Sequence, residues 1–114
     1  MHELGVTKAL IKGVLDEAER RGVDSVKEVF VEVGMLTTYS GESIAFYYDI
    51  LKEDEAVLED SKLNVKDIEG IVHCKGCGKD SELSDMYMFF CPLCDSPDIE
   101  VIKGKEFIIK EIRV

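Results

Sequence analysis

The four cysteines of this 114-residue chain constrain its fold more than any other feature, because they form two pairs of identical spacing. Cys74 and Cys77 enclose Lys-Gly, Cys91 and Cys94 enclose Pro-Leu, and thirteen residues, 78–90, separate the pairs. The two sulfurs of a C-x-x-C turn can both reach a metal ion about 2.3 Å away, so two such turns supply the four ligands of one tetrahedral site. The sequence therefore predicts a closed four-thiolate metal site in the second half of the chain.

Two disulfides would also use four cysteines, but they require an oxidising compartment. The first six residues, MHELGV, have neither the basic nor the apolar segment of a secretory signal, so we expect a cytoplasmic protein with reduced thiols. The spacing also resembles the knuckles of rubredoxin, in which four cysteines hold one redox-active iron. Only three aromatic residues, Tyr87, Phe89 and Phe90, lie between the pairs to cover such an iron. Structural zinc is therefore favoured over iron.

The charge of the chain argues against a nucleic-acid partner. The net charge is −10: residues 1–70 contain eight Lys/Arg against sixteen Asp/Glu, giving −8, and residues 71–114 contain six against eight, giving −2. Binding to phosphates requires a basic face that releases counterions, and neither half of the chain offers one. No apolar run approaches the length needed to cross a membrane, so we expect no membrane partner either.

Two segments have the periodicity of amphipathic helices. Residues 4–21 place apolar side chains on one stripe, and Gly22 suits the C-terminal stop. Ser40 can cap a second helix, in which apolar and aromatic residues recur at i, i+3, i+4 and i+7: Ile44, Tyr47, Tyr48 and Leu51. Both helices are predicted to bury one face against a sheet.

Three segments have the pattern of β-strands. Residues 26–33 alternate valine with other side chains, which indicates a strand with one buried face. A second strand is predicted over residues 63–72, where the alternation slips near Asp67-Ile68 and suggests a bulge. Strand-forming sequence resumes at Ile99, breaks at residues 103–105 and continues to the end of the chain.

The order of these elements predicts an α+β fold. Two helices are expected on a three-stranded, mostly antiparallel sheet, with a zinc-ribbon-like four-cysteine lobe inserted before the last strand. We expect residues 1–70 and 102–114 to form an α/β domain and residues 71–101 to form this four-cysteine lobe. The metal would order a segment too small to order itself.

The first two residues carry a second chemical signal. A chain that begins Met1-His2 presents its α-amine, the His2 backbone nitrogen and the His2 imidazole in one nearly planar arc. Ni(II) and Cu(II) prefer such square-planar nitrogen sites, and zinc gains less from that geometry. The plain alternative is that His2 is an ordinary surface residue near a fraying end, with Glu3 favouring the helix N-terminus.

The whole pattern resembles the HypA family of hydrogenase maturation nickel metallochaperones. The likeness rests on the opening Met1-His2-Glu3, the strand at residues 29–34, the helix at residues 42–46 and the two cysteine pairs. The resemblance implies a nickel site at the N-terminus and a structural zinc in the knuckles. It further implies a GTPase partner, HypB, and delivery of nickel to the [NiFe]-hydrogenase large subunit. We expect the protein to be a monomer or a weak dimer.

Carried over to this chain, the resemblance assigns nickel to His2 and the Met1 amine. It assigns zinc to the four cysteines. Glu3 and His73 are candidates for an additional nickel ligand, although His73 more simply supports its neighbour Cys74 without binding a metal.

Two other function classes differ from a nickel chaperone in testable ways. A protein-binding zinc-ribbon adaptor would hold zinc but have no nickel-specific site, and a rubredoxin-like electron carrier would contain red iron. An enzyme is disfavoured, because two histidines and four committed cysteines supply no nucleophile set and a closed four-thiolate zinc has no open position for water.

Overall fold

The fold is given by a computed structural model that describes residues 3–83 and 89–114. Its two helices are those predicted from periodicity. Helix α1 spans Glu3–Arg21 and ends at Gly22, whose φ of 68° is the left-handed conformation of a helix stop. Helix α2 spans Gly41–Leu51 and is capped by Ser40, whose side-chain oxygen accepts a hydrogen bond from the Ser43 backbone N–H at 3.2 Å.

A three-stranded sheet carries both helices on one face. Strand β1 (Glu28–Gly34) lies in the centre, between β2 (Lys62–Ile68) and β6 (Phe107–Arg113). Alternate residues of β1 are buried against the helices: Val29, Val31 and Val33. This arrangement confirms the predicted α+β fold.

The two strand pairs of this sheet run in different directions. Strand β1 pairs with β2 in parallel and with β6 antiparallel, with a shift in register between Phe30 and Val31. A parallel neighbour needs a long crossover, and α2 provides it between β1 and β2. The antiparallel pairing expected for most of this sheet therefore holds for one of its two strand pairs, β1 with β6.

A second, smaller sheet holds the cysteines. It consists of β3 (Gly70–Cys74), β4 (Asp80–Leu83) and β5 (Ile99–Lys103), in the order β4-β3-β5 and wholly antiparallel. The prediction of one strand with a bulge over residues 63–72 is wrong. The chain leaves the first sheet after Ile68 and starts the second at Gly70, so the slip in alternation marks a change of sheet.

Close backbone packing joins the two sheets. The Gly34 N–H donates to the Glu106 carbonyl at 2.9 Å, and the Leu36 N–H donates to the Gly104 carbonyl at 2.8 Å. A Cβ atom at Gly34 would overlap the Gly104 carbonyl, and Gly104 itself has a φ of 91°. Glycine is required where backbones approach this closely.

The apolar core belongs to the first sheet and its helices. Its buried members are Leu10, Ile11, Val14, Ala18, Val26, Val29, Val31, Val33, Ile44, Tyr48 and Leu58. Buried residues of the four-cysteine lobe are few among the residues described: Val72, Cys74, Leu83 and Cys91. In the described part of the chain, no helix is both long and apolar enough to cross a membrane.

Candidate metal centre

The fold brings all four cysteine sulfurs together. The ligand atoms of Cys74, Cys77, Cys91 and Cys94 all lie within 4.8 Å of one another. The Cys74 and Cys94 sulfurs are 3.5 Å apart, and the Cys77 and Cys91 sulfurs are 3.8 Å apart. Four sulfurs at about 2.3 Å from one tetrahedral ion are separated by about 3.8 Å from each other, so these distances fit a single metal ion. All four thiols are free of disulfides.

The two cysteine turns close with the same backbone hydrogen bond, and in each an N–H also points at the sulfur of the first cysteine. In the first, the Cys77 N–H points at the Cys74 sulfur at 3.4 Å, and the Gly78 N–H donates to the Cys74 carbonyl at 2.8 Å. In the second, the Leu93 N–H points at the Cys91 sulfur at 3.4 Å, and the Asp95 N–H donates to the Cys91 carbonyl at 2.8 Å. Each N–H···S contact offsets negative charge on a thiolate, which is what a metal ligand requires.

The residue after each cysteine turn has a left-handed backbone conformation, which accounts for the residue type found there. Gly78 and Asp95 occupy equivalent positions, four residues after the first cysteine, with φ of 74° and 62°. Glycine adopts this conformation without steric cost, and aspartate tolerates it better than most residues. The chain can therefore turn back sharply enough for both sulfurs of a pair to face one point.

The thiols differ in acidity because their neighbours differ. The hydrogen bond from the Cys77 backbone N–H, with those from the Cys94 and Cys77 thiols, outweighs burial and lowers the pKa of Cys74 to about 6. The Ser96 backbone N–H lowers the pKa of Cys94, but the Cys74 sulfur, burial and the other two sulfurs raise it more, to about 12. Without a cation, four thiolates do not form together. A divalent ion at their centre would remove that penalty.

His73 lies beside this centre but outside the group of four sulfurs. Its Nδ1 is 2.7 Å from the Asp80 Oδ1, across the β3-β4 pair. A carboxylate in this position fixes the orientation of an imidazole ring. Sequence reasoning missed Asp80 because strand β4 is short and polar, with no alternation to predict it.

The predicted nickel ligands Met1 and His2 lie outside the described residues, but Glu3 is described. The Glu3 side chain is buried, with 8 % of its surface exposed, and its Oε2 accepts the Ser40 N–H at 2.8 Å. The Thr7 hydroxyl donates to the Glu3 carbonyl at 2.5 Å. Glu3 therefore ties the start of α1 to the start of α2, a contact that the sequence pattern did not predict.

The loop before Ser40 is tightly constrained. Thr38 has a φ of 69°, which is unfavourable for a β-branched residue. Thr37 supports the loop, since its hydroxyl donates to the Gly34 carbonyl at 2.7 Å and accepts the Tyr39 N–H at 3.2 Å. Backbone of this kind persists where its surroundings fix it, and here it brings Ser40 to Glu3.

Comparison with known proteins shows the family of the chain. The family model described as "Hydrogenase/urease nickel incorporation, metallochaperone, hypA" matches residues 1–114. The chain belongs to the HypA family. Hydrogenase maturation factor HypA of Caldanaerobacter subterraneus subsp. tengcongensis is 41% identical over 115 residues, covering 100% of this chain and 99% of the relative. The HypA of Crocosphaera subtropica is 40% identical, covering 100% and 96%.

A solved HypA structure has the same fold. The solution structure of the Ni metallochaperone HypA from Helicobacter pylori superimposes with a TM-score of 0.71, covering 99% of this chain and 97% of that one, at 20% identity. The predicted membership of the HypA family is confirmed by these matches. HypA proteins are described as metallochaperones for nickel incorporation and hydrogenase maturation.

Proposed function

We propose that this chain is a nickel metallochaperone that binds Ni(II) at its N-terminus and transfers it during maturation of a [NiFe]-hydrogenase. The observation that carries the proposal is the HypA family match over residues 1–114, in a chain that opens Met1-His2-Glu3. The protein would act by metal exchange and would perform no catalysis.

Three nitrogens form the proposed nickel site: the Met1 amine, the His2 backbone nitrogen and the His2 imidazole. A planar set of nitrogen donors suits Ni(II), which prefers square-planar coordination. Support comes from Glu3, the next residue, whose carboxylate is held against the Ser40 N–H. We propose Glu3 and His73 as the candidates for a further ligand.

Zinc is the ion we propose for the four cysteines. Four thiolate ligands in a tetrahedron are typical of structural zinc. Such a zinc has no free coordination position for water or a substrate. We propose that residues 71–101 form a four-cysteine lobe that zinc orders, and that residues 1–70 with 102–114 form the nickel-binding domain. His73, oriented by Asp80, would support this lobe from beside Cys74.

We also propose the partners and the compartment that the family implies. Nickel transfer would involve a HypB-type GTPase and the hydrogenase large subunit. The four free thiols agree with a reducing, cytoplasmic setting, because oxidising compartments favour disulfides.

Nickel binding to two variants tests the N-terminal site. We expect His2→Ala to abolish stoichiometric Ni(II) binding in calorimetry, and an extension before Met1 to do the same by converting the amine into an amide. Zinc content should remain one ion per chain in both. Unchanged nickel affinity in both variants would contradict the proposal.

Two controls sharpen this experiment. Removing the extension with a protease that leaves Met1 as the first residue should restore nickel binding, since the amine reappears. Glu3→Ala and His73→Ala distinguish the two candidates for a further ligand. If one of these residues binds nickel, its replacement by alanine should weaken nickel affinity without abolishing it.

A further inference from the structure

Helix α2 exposes two large apolar side chains on its outer face. Phe46 is 62 % exposed and Ile50 is 54 % exposed, and they lie one helical turn apart. Phe46 packs edge-on against Tyr47, with ring centroids 5.6 Å apart. Within residues 3–83 and 89–114, Phe46 and Ile50 are the only large exposed apolar residues that share one face of a helix. We refer to these two residues as the α2 patch.

The α2 patch lies in the most negatively charged segment of the chain. Residues 41–60 contain seven Asp/Glu and one Lys, giving −6 of the total −10. The single lysine, Lys52, has 18 % of its side chain exposed and bonds the Ser61 carbonyl at 2.8 Å and the Asp49 carboxylate at 3.4 Å. The charges that this segment presents to solvent are therefore almost all carboxylates.

A groove lies beside the patch. Leu51, which follows Ile50 in the chain, lines it together with Ile11 and Leu15 of α1. The rest of the lining is charged, with two lysines and three acids: Lys8, Lys12, Asp16, Asp54 and Glu55. Lys12 is paired with Asp16 at 2.9 Å, so the acids still outnumber the lysines in the groove. The groove has a volume of about 390 Å³. The patch and the groove give the outer side of the helix pair both protruding and recessed apolar contacts.

The charge distinguishes between the kinds of partner that this surface could bind. Nucleic acid and anionic membranes would meet the carboxylates with like charge. A second copy of the chain would place one −6 segment against another, at a cost that opposes self-association. A partner with lysine or arginine beside an apolar stripe would satisfy both features of the surface.

We infer that the α2 patch is a docking site for a basic amphipathic helix of another protein. Phe46 and Ile50 would enter its apolar stripe as adjacent anchors, and the surrounding carboxylates would pair with its basic residues. The inference does not depend on the proposed nickel site, because neither anchor is a proposed metal ligand.

NMR titration with two synthetic helices tests the inference. Both peptides, of about 18 residues, carry the same leucine stripe at i, i+3, i+4 and i+7, and they differ only in having lysine or glutamate at the other positions. The lysine peptide should shift the amide signals of α2 and bind at least about tenfold more tightly than the glutamate peptide. Raising the salt to about 0.5 M should weaken its binding.

Matched variants assign the binding to the patch. The double substitution Phe46→Ser with Ile50→Ser should lower the affinity for the lysine peptide at least about tenfold. Ile102 is an exposed isoleucine on β5, and Ile102→Ser should leave this affinity unchanged. Glu42→Gln with Glu53→Gln should weaken binding more than Glu82→Gln with Glu100→Gln in the four-cysteine lobe. Retained helical circular dichroism and zinc content would show that each variant is folded.

Four outcomes would overturn the inference. They are equal affinity for the two peptides, signal shifts confined to other surfaces, no binding of the lysine peptide, and a dimer in sedimentation that the double serine variant disperses. The last result would assign the face to a second copy of this chain.

Discussion

At the scale of single residues, the cysteines show why identical side chains do not have identical chemistry. Cys74 and Cys94 lie 3.5 Å apart, yet the pKa of Cys74 is lowered to about 6 and that of Cys94 is raised to about 12. The first thiol receives backbone hydrogen bonds that stabilise its anion, and the second must ionise beside sulfurs that already carry charge. A metal ion therefore has to displace at least one proton to bind at neutral pH.

This difference predicts a graded dependence of zinc affinity on pH. A thiol with a lowered pKa is a thiolate above that value and gains its proton as the pH falls through it. Between pH 8 and pH 6 the Cys94 proton competes with zinc, so affinity should fall at least about tenfold per unit. Below about pH 6 the Cys74 proton also competes, and the fall should become steeper. Competition with a colorimetric chelator, calibrated at each pH, measures both slopes, and a constant affinity from pH 8 to pH 6 would contradict the prediction.

At the scale of secondary-structure elements, Ser40 joins the two helices. Its hydroxyl accepts the Ser43 N–H and so begins α2, while its own N–H donates to the Glu3 carboxylate at the start of α1. One residue thus defines where α2 starts and how it lies against α1. Because Glu3 follows His2 directly, the same contact fixes the chain next to the proposed nickel ligand.

Replacing Ser40 should therefore destabilise the fold. Ser40→Ala removes the cap of α2 and should lower the free energy of unfolding by about 1 kcal/mol. Glu3→Gln should also destabilise the protein, since a neutral amide is a weaker acceptor for the Ser40 N–H than a carboxylate. Urea denaturation measures both effects. Ser43→Ala is the control, because it keeps the backbone N–H that the cap uses, and a loss as large as that of Ser40→Ala would argue against capping.

The elements also differ in how far the sequence predicts them. The helices follow from periodicity and the Ser40 cap, and β1 follows from alternating valines, because these signals are local. The boundary between β2 and β3 depends on which sheet each strand joins, and close packing of Gly104 against Glu69 at that point is a tertiary contact. Strand β4 was missed for a similar reason, since it is formed by pairing with β3 and has no apolar pattern of its own.

The candidate sites were predictable to different degrees. The four-thiolate centre follows from spacing, because a C-x-x-C turn is a local structure. The contacts of His73 with Asp80 and of Glu3 with Ser40 join residues on separate elements, and only the fold reveals them.

At the scale of the whole molecule, two parts are stabilised by different interactions. The first sheet and its helices bury a continuous apolar cluster that includes Val14, Val31, Ile44 and Tyr48. The four-cysteine lobe buries few apolar side chains among its described residues, so we expect its three short strands to depend on a metal ion held by the sulfur cluster. The molecule is elongated, 53 × 26 × 16 Å, and the glycine contact between Gly34 and Gly104 connects the parts.

Removing the metal should therefore unfold the four-cysteine lobe and leave the helical core folded. With no ion to join the four sulfurs, nothing holds the two cysteine turns together, and the small apolar content of this lobe cannot offset the entropy of ordering the chain. Hydrogen exchange measured with and without a chelator should show lost protection at Val72 and Cys74 and retained protection at Val29 and Val31. Cys74→Ser should reproduce the effect without a chelator, because one ligand is lost. If the helical circular dichroism signal were lost together with the lobe, the core would also depend on the metal. If the amides of β3 kept full protection without metal, the lobe would fold without it.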